Sequence, residues 1–119
     1  MTKDNQILDK SFNFAIRIVN LYRILQNKNE YVLSKQLLRS GTSIGANVNE
    51  AQAAQSKKDF VSKMSIATKE ARESYYWINL LIKTDYIDVK DQHVQTLLDQ
   101  SEELIKILTS IVKTSQSNL

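Results

Sequence analysis

The chain has no cysteine and no proline, and only two glycines in 119 residues. Without cysteine, disulfides, zinc–thiolate centres and thiol nucleophiles are excluded. Without proline, and nearly without glycine, the usual vocabulary of tight turns is missing, which favours helices joined by short polar connections. No apolar run approaches the ~20 residues that a bilayer-spanning helix needs. The opening MTKDNQILDKSF lacks the apolar stretch of a secretory signal. A cytoplasmic protein with no membrane partner is expected.

Histidine is almost absent as well. The single His93 has no glutamate three residues before it, whereas a di-iron bundle needs Glu-x-x-His on two helices. Glu50, Glu70 and Glu73 could form a carboxylate cluster, but with no imidazole beside them a metal role is a poor fit. His93 reads instead as a packed or interface side chain. No nucleophile, base and orienting group can be assembled. The expectation is a protein with no catalytic residues, no metal and no cofactor.

What is present is a long helical period. Ile7, Ser11, Phe14, Ile18, Leu21 and Leu25 recur at steps of three and four, with Leu8, Phe12, Ala15 and Val19 widening that stripe. Leu33, Leu37, Gly41, Ile44, Val48 and Ala51 make a second stripe. Phe60, Met64, Ala67, Ala71, Tyr75, Ile78 and Ile82 make a third, entered through Ser56 and Asp59 as a cap. Val94, Leu98, Ser101, Ile105, Leu108 and Val112 make a fourth, with Asp88 as its expected cap and the tail TSQSNL expected to fray. The spacing predicts helices over about 5–26, 30–54, 57–83 and 88–114 in one domain spanning 1–119. The fold class is all-α, an antiparallel up-down-up-down four-helix bundle.

The stretch RSGTSIGANVNEAQAAQS, Arg39 to Ser56, holds both glycines. It keeps the register of the second stripe and lacks the lysine and spacing of a phosphate-binding loop. It therefore reads as helix, despite a cost of ~1 kcal/mol for each glycine relative to alanine. Close approach of a neighbouring helix is the expected compensation. Beside the apolar stripe runs a polar one, Gln36, Ser40, Ser43, Asn47 and Glu50. With Arg39 and Glu73 in reach, it predicts a buried helix-to-helix hydrogen-bond network.

These residues also carry a resemblance. Arg39-Ser40, Ser43-Ile44, Asn47 and Glu50 stand at fixed steps, followed by Lys58-Asp59-Phe60 at a helix start, Ala67, and Glu70 to Glu73. In this the chain resembles the bacterial four-helix-bundle proteins named after 23S rRNA intervening sequences, a family often labelled ribosomal protein. It departs at Ala51, where many members carry glycine. The resemblance implies an up-and-down bundle assembled as a homopentameric ring. It also implies kinship with the accessory protein of diversity-generating retroelements, which works with nucleic acid and a reverse transcriptase. RNA or a nucleic-acid enzyme is thus an implied partner.

Two functional expectations follow. The first is self-assembly into a scaffold or adaptor, because Ile66, Trp77, Leu97, Leu104 and Ile111 lie off the core stripes and suggest a second buried surface. Charge is uneven too. Residues 1–84 carry thirteen Lys/Arg against seven Asp/Glu, or +6, and residues 85–119 carry three against six, or −3. Such asymmetry suits contact between subunits. The second expectation is RNA binding along Lys58, Ser62, Ser65, Lys69, Arg72, Tyr76 and Lys83. These share one helix face, where cations can follow phosphates and Tyr76 can stack a base. A purely structural protein–protein module, or a small-ligand-binding bundle, stays open beside both.

Overall fold

A computed structural model describes the backbone of residues 3–118 and the side chains of residues 6–118. It contains α1 (Lys3–Asn27), α2 (Leu33–Ala51), α3 (Lys57–Lys83) and α4 (Gln92–Ser117). Each helix packs on the next and α4 closes on α1, while the diagonal pairs bring no Cα atoms within 8 Å of one another among the described residues. Direction follows from which residues meet. Ser11 and Ile18 of α1 lie against Gly45 and Gly41 of α2. Arg39 and Glu50 of α2 meet Glu70 and Lys63 of α3. Tyr75 and Lys57 of α3 meet Glu102 and Asn118, and Lys10 of α1 meets Glu103 of α4. Every neighbour runs antiparallel, as short connections require.

Helix ends are built without glycine. Asn29 and Asp85 take the left-handed conformation, at φ 63° and 65°, which these two residue types tolerate better than most. After each helix the backbone closes with the paired bonds of a Schellman turn. Glu30 and Asn29 donate to Leu25 and Gln26, and Tyr86 and Asp85 donate to Leu81 and Ile82.

Four boundaries differ from the expected ones by three residues or more, both ends of α2 and both ends of α4. Helix α2 starts at Leu33 rather than Glu30, because Glu30 acts as a cap. One of its carboxylate oxygens accepts from the Val32 and Leu33 amides and the other from Ser34 at 2.6 Å. Past Ala51 the amides of Gln52, Ala53 and Ala54 reach back only three residues, so the α-helix has ended. Helix α4 is capped by Asp91, which accepts from the His93 amide, whereas Asp88 serves a turn ahead by accepting from Lys90. The Ser56 cap on α3 is as expected, accepting from Asp59. The tail holds its helix through Ser117.

The core stripes of α1 and α2 match the expected ones, with Leu21 and Leu33 half-buried at their edges. Those of α3 and α4 match at Met64, Ala67, Ala71, Ile78, Val94, Ser101 and Leu108, while at the other positions an adjacent residue turns inward, in α4 always the preceding one, a part-turn rotation. Helix α3 buries Val61, Met64, Ala67, Ala71, Ser74, Ile78 and Leu81. Helix α4 buries Val94, Leu97, Ser101, Leu104, Leu108 and Ile111. Phe60, Ile82, Leu98, Ile105 and Val112 pack half-buried on the flanks.

Candidate functional site

The rotation of α4 corrects the expected interface. Leu97, Leu104 and Ile111 sit inside the bundle core, so they are not available to a second subunit. Ile66 is exposed on α3 and Trp77 is half-buried. Trp77 meets Tyr76 edge to face, with ring centres 5.0 Å apart. The larger uncovered apolar surface lies on α1. Phe12 is 66% exposed and Ile16 is 47% exposed. Both stand on the outward line of the helix, and Phe12 edges a groove of about 460 Å³ at the α1–α2 seam that Ala15, Gly45 and Ala46 also line. The period of α1 places Phe12 at the edge of its widened stripe but does not single out Ile16.

The expected polar network exists in part and lies at the surface. Arg39 bridges α2 to α3 through Glu70 and Glu73, and the indole N–H of Trp77 donates to Glu73 at 3.0 Å. Ser43 donates to the Arg39 carbonyl and Asn47 to the Ser43 carbonyl, both within α2. Glu50 is exposed and pairs with Lys63 at 3.3 Å, apart from the others. The expectation that Asn47 and Glu50 form a buried inter-helix network is therefore corrected. Of the expected stripe it is Ser40 that makes a buried polar contact between α2 and α3, with the Ser74 hydroxyl 2.9 Å away. Such exposed ion pairs contribute ~0–1 kcal/mol each.

Lys58, Lys69, Arg72, Tyr76 and Lys83 all lie exposed along the outer face of α3. None of the four cations makes a salt bridge among the described residues. Tyr76 is 59% exposed. The backbone thus places all five on one line.

His93 is exposed at the start of α4 rather than packed. Its carbonyl, together with Thr96 and Gln100, receives the Arg17 guanidinium from α1 at 2.6–3.0 Å. Burial lowers the pKa of that guanidinium from its ordinary value. Glu30 feels two opposed influences. Burial would raise its pKa, but bonds from the Ser34, Leu33 and Val32 amides and the Ser34 hydroxyl together hold it below the ordinary glutamate value. No group of three or more His, Asp or Glu able to hold a metal occurs among the described residues. None of the described helices is long and apolar enough to cross a membrane.

An all-α antiparallel bundle with one uncovered apolar helix line and one uncovered cationic line defines a class of small helical proteins. Within that class the chain belongs to the 23S rRNA-intervening sequence protein family, whose model matches residues 3–110. It is also similar to a crystal structure of a protein with unknown function from the S23 ribosomal protein family of Bacteroides thetaiotaomicron. The two are 52% identical, with a TM-score of 0.88 over 94% of this chain and 99% of that one. No curated protein gives a significant match.

Proposed function

We propose that the protein is a non-catalytic, self-assembling scaffold or adaptor, with copies joining through the outer line of α1. The observation that supports this is the exposure of Phe12 and Ile16 beside a groove floored by small residues. Contiguous apolar surface of this kind is unfavourable in a free monomer. A second copy is the occupant because the chain itself carries a second protruding apolar line, the exposed Ile66 with the half-buried Trp77 three turns on, on the diagonally placed α3. Contact between two unlike faces is heterologous and closes into a ring when the rotation permits. The family resemblance implies five subunits.

Light scattering tests it. The wild-type mass is a multiple of 13.7 kDa, and Phe12→Glu with Ile16→Glu reduces it to one chain while the helical signal persists. A wild-type mass of one chain overturns the proposal.

A second reading, RNA binding by α3, rests on the unpaired cations beside Tyr76. Its test is retention of a labelled single-stranded RNA at low salt, with affinity falling steeply as salt rises because phosphate contacts release counterions. Absence of binding at low salt returns this line to an ordinary solvated face.

A further inference from the structure

The outer line of α3 is a convex crest, and a crest alone grips a phosphate poorly because a phosphate presents several oxygens at once. The concave surface beside it is different. At the α3–α4 seam a groove of about 260 Å³ is lined by Ser65, Thr68 and Arg72 of α3 and by Thr109, Lys113 and Gln116 of α4. We propose that this groove, rather than the crest, is the phosphate-gripping element for an RNA backbone; the proposal rests on the RNA reading above.

The argument begins with charge. The acidic character of the last third of the chain is not spread along α4. Every Asp and Glu after residue 84 stands at or before Glu103, and residues 104–119 contain Lys106 and Lys113 with no acid. The helix therefore changes sign along its length, and its basic half faces the first half of α3. The nearby acids are committed elsewhere. Glu70 is paired with Arg39 on the α2 side, Glu102 accepts the Tyr75 hydroxyl, and Asp59 accepts the Gln55 amide at the helix start. Arg72 and Lys113 make no salt bridge among the described residues. Two cations from facing helices thus line one concave site without a counter-charge.

Val112 adds an apolar patch to the lining, and the remaining groups are hydroxyls and one amide. Thr68 spends its proton on the Met64 carbonyl at 2.8 Å, but Ser65, Thr109 and Gln116 are exposed or half-buried beside the cations. Hydroxyl, amide, ammonium and guanidinium together match a phosphodiester, whose oxygens accept and never donate. Guanidinium adds a planar fork suited to two oxygens of one phosphate. Arg72 lies one helical turn before Tyr76, so a strand whose phosphate sits in the groove can lay a base on the exposed ring. That continuity favours a polymer over a free phosphate ion.

The test compares two variants that remove the same charge. Arg72→Gln with Lys113→Gln empties the groove of cations, while Lys58→Gln with Lys83→Gln removes two that lie on the crest alone. Arg72 also stands on the crest line, so Lys113→Gln alone, expected to weaken binding several-fold, isolates the groove. Fluorescence anisotropy with a labelled oligouridylate on the full-length protein is the measurement. The groove variant should lose about tenfold or more in affinity and flatten the salt dependence by about 1.4 in log–log slope, as two lost single-strand contacts require. The crest variant should change about twofold and keep its slope. Arg72→Lys with Lys113→Arg should retain binding, which separates lost phosphate contact from lost folding. Equal losses in the groove and crest variants overturn the groove and leave RNA binding standing. No wild-type binding at low salt overturns both.

Discussion

Helix α1 meets its two neighbours in opposite ways. Against α2 it lies so close that a Cβ built on Gly41 would stand 2.8 Å from Ile18, and one on Gly45 would stand 3.3 Å from the Ser11 carbonyl. Against α4 the backbones approach along a shorter stretch, and Leu21, Ile24, Ile87, Val94 and Leu97 line a groove between them. That seam is bridged by the long Arg17 side chain reaching Gln100, Thr96 and His93. One seam is held by backbone proximity and dispersion, which fade steeply with a fraction of an ångström. The other is held by directed polar bonds that span a gap. The first should be intolerant of added volume, and the second of lost reach.

The largest effect is expected at Gly41. Leucine there must displace Ile18, whose Cγ1, Cγ2 and Cβ all lie within 3.2 Å of the added Cβ and which is fully buried. Overpacking of this kind costs about 3 kcal/mol, offset only in part by the ~1 kcal/mol that leaving glycine returns to a helix. Chemical denaturation of Gly41→Leu measures it. A midpoint equal to wild type would show that the seam opens freely, and the contrast with α4 would collapse.

Next comes Glu30, which closes the α1–α2 connection and is only 6% exposed. Its carboxylate takes three backbone donors, and Gln26 of α1 reaches Ser34 of α2 beside it. Glu30→Gln should cost about 2 kcal/mol at neutral pH, since charge-assisted bonds become neutral ones. The pH dependence has a definite sign. The folded pKa lies below the ordinary value, so the charge contributes fully above the unfolded value of about 4.3. That contribution is lost as pH falls through the lower folded value. The gap between wild type and Glu30→Gln, followed by urea midpoints at several pH values, should therefore narrow below about pH 4. A constant gap would mean the carboxylate does not titrate differently in the folded state.

These two residues also mark how much was legible beforehand. The second stripe located both glycines in a helix against a neighbour, because position 41 keeps the period and has no side chain to spend on it. The cap at Glu30 was not legible. Glutamate is a common first-turn residue, and only the folded turn at Asn29 shows its carboxylate folding back over the next helix start. The stripes of α3 and α4 were legible at Met64, Ala67, Ala71, Ile78, Val94, Ser101 and Leu108, and missed at their other positions for a third reason. Leu97-Leu98, Leu104-Ile105 and Ile111-Val112 are adjacent apolar pairs, so two stripes that share Val94, Ser101 and Leu108 and differ by about half of the ~100° step fit one period equally well. Which one turns inward depends on the facing helices. In α3 the choice falls on Ser74 over Tyr75, since two hydroxyls let α2 approach while the phenol keeps a polar partner in Glu102. The surface cations and the groove beside them lie beyond any periodicity, because they depend on which helices become neighbours.

Arg17 tests the wider seam. Arg17→Ala removes bonds to three α4 groups and exposes the apolar groove beneath, for an expected loss of about 1–2 kcal/mol. Arg17→Lys should recover little, because an ammonium cannot make the guanidinium's divergent contacts. Thermal unfolding of both variants measures this. Recovery of full stability by lysine would mean that charge near the start of α4, and not reach, holds the seam.

Gly45→Ala is expected to have the smallest effect, and its sign is informative. The added methyl would lie 3.3 Å from the Ser11 carbonyl oxygen and 3.4 Å from its carbon, closer than comfortable but short of a hard clash. The opposing atoms are backbone, so α1 itself must shift by a few tenths of an ångström. Alanine returns up to ~1 kcal/mol of helix propensity, and overpacking of ~1 kcal/mol or somewhat more acts against it. Near-cancellation, within about 0.5 kcal/mol, is therefore expected. The coupling with Gly41→Ala carries more information than the single value. If α1 moves as a rigid body away from α2, strain relieved at one glycine is already relieved at the other, and the double variant costs less than the sum. If each site yields locally, Ile18 by its rotamer and Ser11 by its backbone, the two costs add. A double-variant loss clearly below the sum would establish the seam as one rigid contact along its length.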